Sequence, residues 1–190
     1  MVKLNRIYTR TGDAGDTGLV DGSRLSKANP RLAAMGDVDE ANSCIGVAIV
    51  ALGDHPVARD LALVQNELFD LGADLATPGE DFTPSEMVLR VVPAQVERLE
   101  RALDALNEEL APLTSFILPG GGAGAAALHV ARAVTRRAER SVVALMESGG
   151  AAANPQALAY INRLSDYLFV AARVANGAAG DILWKPGATR

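Results

Sequence analysis

Hydrophobic positions recur at three- and four-residue steps through most of the chain, and each run starts and stops on a recognisable residue. Asn29-Pro30 reads as an N-cap followed by proline at the first helical position. Leu32, Met35, Val38, Asn42, Ile45, Ile49 and Leu52 then share one helical face, and Gly53 ends the run. A second stripe, Val57, Leu61, Val64, Leu68, Leu71 and Leu75, opens near Pro56 and stops at Thr77-Pro78-Gly79. Residues 78–92 read as a loop. A third helix begins at Pro93 and carries Val96, Leu99, Leu103, Leu106 and Leu110, with Glu97 and Arg101 as an exposed pair four residues apart. After the loop Phe116–Gly122 a fourth helix runs from about Ala123 to Ser148, and a fifth from Asn154-Pro155 to Asn176-Gly177.

Five helices joined mostly by short loops predict an all-α, up-and-down five-helix bundle. No alternation of strands and helices is seen. Residues 1–28 are rich in Gly, Asp and Thr and lack a helical period. The expected organisation is one domain: an irregular Gly-rich N-terminal segment (1–28), the bundle (29–177) and a C-terminal tail (178–190).

Composition narrows the function classes. Aromatics are only 4% of 190 residues, which suits closely packed helices better than a β-sandwich. The net charge of −5 argues against a nucleic-acid partner, so an anionic ligand needs a local basic patch. With Cys44 alone no internal disulfide forms, which points to a reducing compartment. MVKLNRIYTRTGD contains no apolar run of the signal-peptide kind, and no stretch approaches the ~20 apolar residues of a membrane span. The expectation is a cytoplasmic protein with no membrane partner.

The segment Thr9-Arg10-Thr11-Gly12-Asp13-Ala14-Gly15-Asp16-Thr17-Gly18 spaces glycines three apart among hydroxyls. Such a loop turns sharply and offers N–H and O–H donors to phosphate oxygens. It is not a Walker A motif, and a turn-rich tail is the alternative. On the fourth helix Arg132, Arg136 and Arg140 follow an i, i+4, i+8 rule, opposite Val130, Val134, Ala138, Ser141 and Leu145. Arg137 and Glu139 sit alongside. Stacked guanidiniums suit a polyphosphate, and a solvated charged face is the alternative.

Asp39 lies at the edge of the first helix's apolar face, so the expectation is a partly buried carboxylate paired with a fourth-helix arginine, for function or as a structural ion pair. Asn42, inside the stripe, is expected to hydrogen-bond within the bundle. Gly36 and Gly46 are candidates for close approach of a neighbouring helix. On the fifth helix Asn162, Arg163 and Asp166 flank Leu158, Ile161, Ser165 and Leu168. Asn162 either reads an adenine or ribose edge or ties two helices together, and the residues alone favour the tie. Phe116 is a cap over the core end or a ligand contact, and here the residues favour the cap. The two histidines, His55 and His129, make no metal-ligand spacing, and no Glu-x-x-His pair or nucleophile elbow appears. A nucleophile that needs no deprotonation and an oligophosphate leaving group fit this inventory.

Taken in order, Tyr8–Gly18, Gly36–Ser43, Phe116–Gly121, Ala127–Arg140 and Ile161–Phe169 resemble the PduO-type family of ATP:cob(I)alamin adenosyltransferases over nearly the whole chain. The resemblance implies transfer of the 5′-deoxyadenosyl group of ATP to the cobalt of cob(I)alamin, after reduction of cob(II)alamin, giving adenosylcobalamin and triphosphate. It implies a homotrimer with active sites between subunits. It places ATP on Thr9, Arg10, Thr11, Gly12, Asp16, Thr17, Lys27, Arg132, Arg136, Arg137, Glu139 and Asn162, and the corrinoid on Phe116 and Asp39. It assigns the chemistry to Asp39, Arg132 and Phe116, with an Asp39–Arg132 ion pair across the interface. Mg²⁺ accompanies the triphosphate. A reductase and an adenosylcobalamin-dependent acceptor enzyme are the implied partners. The rival readings are an escort protein that binds ATP or adenosylcobalamin without catalysis, and a purely structural bundle.

Overall fold

The computed structural model describes residues 7–148, 152–188 and 190. Residues 1–6 of the expected N-terminal segment lie outside the described residues. Two short strands, β1 (Asp16–Gly18) and β2 (Arg24–Ser26), precede α1 (Pro30–Leu52), α2 (Val57–Leu75), α3 (Pro93–Glu108), α4 (Ala123–Glu147) and α5 (Pro155–Asn176). The N-terminal segment is therefore less irregular than expected: β1 and β2 pair antiparallel, with Thr17 opposite Leu25.

The caps behave as the chain predicts. Asn29 and Asn154 each accept a hydrogen bond from the backbone two residues on, and each is followed by proline. Gly53 and Gly177 end α1 and α5 with positive φ. α1, α3 and α5 run one way, α2 and α4 the other. The end holding the start of α1 is called proximal here, and the opposite end distal. Arg31, on the first turn of α1, donates to the Leu75 carbonyl at the end of α2 (2.6 Å) and to that of Ala152 before α5 (2.9 Å), which marks the proximal end. At the distal end Asn176 holds the turn before α4, its Oδ1 accepting from Gly122 N–H at 3.1 Å. Gly121 there has φ of 109°, and a Cβ would lie 2.0 Å from Asn176 Oδ1, so no other residue fits that turn.

All six residues of the α2 stripe are buried. The α1 stripe is rotated from the expectation. Its buried line runs through Ala34, Val38, Ala41, Ile45 and Ala48, while Met35, Ile49 and Leu52 flank it. The α4 stripe needs a similar correction. Leu128, Ala131, Thr135, Ala138, Val142 and Leu145 face inward, and Val130 is exposed. Both shifts have one cause: small residues on α1 and α4 let these two helices pack against each other closely, and the bulky residues then sit to the sides. The tightest approach is at Gly124, where a Cβ would meet Leu52 at 2.6 Å. Gly36 faces open space, contrary to expectation, and Gly46 meets only the Gln65 side chain.

α5 packs against α4 and α3 and touches α2, and it buries Tyr160, Leu164 and Tyr167 beside the predicted Ile161, Ser165 and Leu168. Packing rather than surface charge holds α3. Burying Leu99 contributes about 2 kcal/mol, whereas the exposed Glu97–Arg101 pair, at 3.8 Å, contributes about 0.3–0.5 kcal/mol. Asn42 hydrogen-bonds within the bundle as expected, exchanging side-chain-to-backbone hydrogen bonds with Gln65 across α1 and α2, although its Oδ1 is buried without a partner.

Candidate active site

The sequence-predicted residues fall into three groups. The first is the N-terminal loop with its hairpin, anchored at the proximal end where Val20 N–H donates to the Ala76 carbonyl at 3.2 Å. Arg10 adopts φ of 64°, a left-handed conformation that turns the chain sharply. Thr9 and Thr11 share a hydroxyl hydrogen bond of 2.8 Å. Lys27 Nζ donates to the Gly12 carbonyl at 2.9 Å, and Lys27 N–H to that of Gly15 at 2.9 Å. Thr17 lies on β1. Asp16 is held by Arg24 through both carboxylate oxygens.

The second group lies on α4 and α5. Arg132 is half-buried, its Nε has no hydrogen-bond partner, and its guanidinium carbon stands 6.0 Å from the centre of the Phe169 ring. Burial, then the charge of Arg136, pulls the Arg132 guanidinium below its ordinary pKa, and it remains cationic. Arg136 and Arg140 are exposed, and Arg140 donates to the Arg136 carbonyl at 2.8 Å. Asn162 donates to Glu139 Oε1 at 2.7 Å and so ties α5 to α4, as the residues suggested. Arg137 points elsewhere: it is paired with Asp37 and Glu40 of α1. Asp39 is exposed rather than partly buried. It sits on the rim of an apolar groove lined by Met35, Val38, Leu68 and Phe69.

The third group is at the distal end. The tail runs back beside the loop before α4: Leu118 N–H donates to Ile182 O at 2.7 Å and Trp184 N–H to Phe116 O at 2.8 Å. This two-stranded contact sets Trp184 edge-on to Phe116, with ring centroids 6.0 Å apart. Phe116 is 77% exposed, so it is not a core cap. With Leu113, Arg132, Phe169 and Trp184 it lines a cavity of about 700 Å³, large enough for part of a macrocyclic ligand. Arg132 therefore joins the aromatic cavity to the arginine face.

A sequence profile described as "Cobalamin adenosyltransferase" matches residues 7–175. The chain belongs to the cobalamin adenosyltransferase family. Similar relatives include a corrinoid adenosyltransferase of Mycobacterium leprae, 50% identical and covering 98% of both chains. Another is a corrinoid adenosyltransferase of Bacillus subtilis, 46% identical over 92% of this chain and 89% of the relative. Among solved structures, a variant PduO-type ATP:corrinoid adenosyltransferase from Lactobacillus reuteri, complexed with cobalamin and ATP, aligns with TM-score 0.85 at 41% identity. That alignment covers 95% of this chain and 99% of the other.

The all-α fold is that of the family, and adenosyl transfer to a corrinoid is its activity. Two residues that line the cavity escaped sequence reasoning. Phe169 reads as one more apolar residue of α5, and Trp184 sits in a tail without period. Their only signal was scarcity, since Trp184 is the one tryptophan in the chain. Among the described residues no helix is long and apolar enough to cross a membrane.

Proposed function

We propose that the chain makes adenosylcobalamin from ATP and cob(I)alamin at sites shared between subunits of a homotrimer. One observation carries this reading: the phosphate-type loop is anchored at the proximal end and Phe116 lies at the distal end. α1 alone, with 23 residues, spans about 35 Å. One chain does not bring its two half-sites together, but a neighbour turned about an axis can supply the missing half. The groove beside Asp39, with Phe69 72% exposed, is a suitable contact face. Asp39 then meets Arg132 of the next subunit, whose Nε has no hydrogen-bond partner among the described residues. The number three, like the cytoplasmic location, rests on the resemblance and the single cysteine.

Cob(I)alamin is already a strong nucleophile, so no general base is required. It attacks the 5′ carbon of ATP in line and triphosphate departs. In this reading Thr9, Arg10, Thr11, Gly12, Thr17 and Lys27 hold the phosphates, and Arg132 and Arg136 stabilise the charge growing on the leaving group. Asn162 and Glu139 fix the nucleoside. Phe116, with Phe169 and Trp184, lies below the corrin and excludes water and the lower axial ligand, which eases reduction of cob(II)alamin by a partner reductase. The product passes to an adenosylcobalamin-dependent acceptor enzyme. Among the described residues no group of three His, Cys, Asp or Glu side chains could hold a metal ion. Mg²⁺ would be carried by the triphosphate, where it would neutralise phosphate charge.

ATP and chemically reduced cobalamin, mixed anaerobically with the protein, should give the spectrum of adenosylcobalamin. Binding of both without product would leave the escort reading in front. Shared sites are tested by co-refolding Lys27→Ala with Arg132→Ala: mixed oligomers should recover activity that neither variant has alone, and no recovery would defeat the shared site.

A further inference from the structure

We propose that Arg24 is a positioning residue for the triphosphate loop, and that Asp16 is the brace it grips rather than a ligand of ATP or its cation. The inference rests on the reading that the 9–27 loop takes triphosphate. It also moves Asp16 out of the set of direct nucleotide contacts that the family resemblance implies.

Arg24 stands on β2 opposite Gly18. Its guanidinium reaches back across the hairpin and makes three hydrogen bonds. Nε donates to Asp16 Oδ2 at 3.1 Å, and Nη2 donates to Asp16 Oδ1 at 2.6 Å and to the Thr11 carbonyl at 2.7 Å. Both oxygens of Asp16 are therefore occupied by one planar fork, the geometry that arginine suits and lysine does not. The Arg24 hydrogen bonds hold the Asp16 carboxyl below its ordinary range, so it stays ionised at neutral pH.

Two consequences follow for an anion site. The first concerns charge. A bare carboxylate within a phosphate-binding loop repels the ligand, and Arg24 cancels that charge where it arises. The second concerns the backbone. A loop that offers N–H groups to phosphate must turn its carbonyl oxygens away. Here the Thr11 carbonyl is taken by Arg24, and the Gly12 and Gly15 carbonyls by Lys27. Gly12 is confined in the same knot, since a Cβ there would lie 3.1 Å from Lys27 Nζ and 3.2 Å from the Asp16 carbonyl. The brace thus sets which face of the loop is positive.

The test is a double-mutant cycle on the full-length oligomer, reading KM for ATP, KM for cobalamin, kcat, Tm and the half-saturating Mg²⁺ concentration. Arg24→Ala should raise KM for ATP by about tenfold, the size of one charge-assisted hydrogen bond. KM for cobalamin and Tm should hold. Asp16→Asn, which loosens the brace without baring a charge, should cost less, about threefold. The double variant should return to the Asp16→Asn level, and Mg²⁺ dependence should not move. If Asp16 instead contacts ATP or its cation, Asp16→Asn will be at least as damaging as Arg24→Ala, the two losses will add and the Mg²⁺ requirement will shift; that result overturns the proposal. Lys27→Ala separates the layers. A raised KM for ATP in Lys27→Ala with none in Arg24→Ala sinks the brace alone, while no change in either sinks the loop reading on which it rests.

Discussion

Arg132 lies over the face of Phe169, its guanidinium carbon 6.0 Å from the ring centre, with Nε buried and unpartnered. A half-buried guanidinium that its own chain leaves incompletely hydrogen-bonded is costly unless a ligand or neighbour completes it. Arg132→Lys keeps the charge but loses the planar fork. One bidentate contact to a charged group is worth ~1.5–3 kcal/mol, so turnover should fall roughly ten- to a hundred-fold. Arg101→Ala, an exposed control, should leave it unchanged. Near-normal steady-state kinetics for Arg132→Lys would reduce the arginine face to a solvated surface.

Phe116→Ala should split the reaction by oxidation state. With the ring gone, the lower ligand or water reaches cobalt, so the reaction from cob(II)alamin under weak reductant should fall more than that from preformed cob(I)alamin. Because Phe116 is 77% exposed, Tm should stay within about 2 °C, as for other surface changes. The ATP-bound variant should show less four-coordinate cob(II)alamin than wild type. An intact four-coordinate signal with a marked loss of Tm would make Phe116 a stabilising contact of the distal end rather than a corrinoid contact.

Asp74 and Arg90 set the stability of the proximal end. Their 2.8 Å ion pair is buried, and Asp74 also accepts from Val91 N–H (2.8 Å) and Asn154 Nδ2 (2.6 Å). Removing one partner of such a pair costs about 3–5 kcal/mol. Arg90→Ala should therefore lower Tm on the order of 10 °C, while KM values for the protein that remains folded stay unchanged. A shift too small to measure in thermal unfolding would show that the site relaxes.

His129 predicts a pH dependence. Its ring is buried with neither nitrogen hydrogen-bonded, and it meets Phe169 edge-on at 6.3 Å. Burial, then the Arg132 charge, lowers its pKa, and Asp181 opposes the shift. The folded state thus favours the neutral imidazole. Its contribution is intact above the unfolded pKa of about 6.5 and is lost as pH falls from there toward the depressed folded value. His129→Leu should be neutral or stabilising at pH 8 and should flatten the fall in Tm between pH 8 and pH 5.5. An unaltered slope in the variant would assign the acid loss to other groups.

Asp39→Asn should leave the fold intact and weaken corrinoid turnover by less than the cost of a fully buried pair, because Asp39 is exposed in its own chain. Phe69→Glu, on the same groove, should shift the oligomer toward monomer in light scattering and lower activity with it. A monomeric wild type that is fully active would dispose of both expectations.

The five helices and their caps were legible because each signal is local: Asn-Pro starts, glycine stops and a periodic apolar stripe act within a few residues. The Gly- and Thr-rich turn segment and the arginine row were legible for the same reason, and the ordered motifs named the family. Tertiary structure decided the rest. Close packing of alanine-lined α1 on α4 rotated both buried faces, and periodicity, which weighs Leu and Met above Ala, pointed to the flanks instead. The tail brought Trp184 to Phe116 through a β-bridge 66 residues apart, between Ile117 and Leu183, a pairing no local pattern encodes. Arg137 went to α1 carboxylates while Arg132 has no acidic partner among the described residues, because a helix turns 100° per residue and neighbouring arginines face different helices. Which arginine meets a ligand is thus a property of the packed bundle.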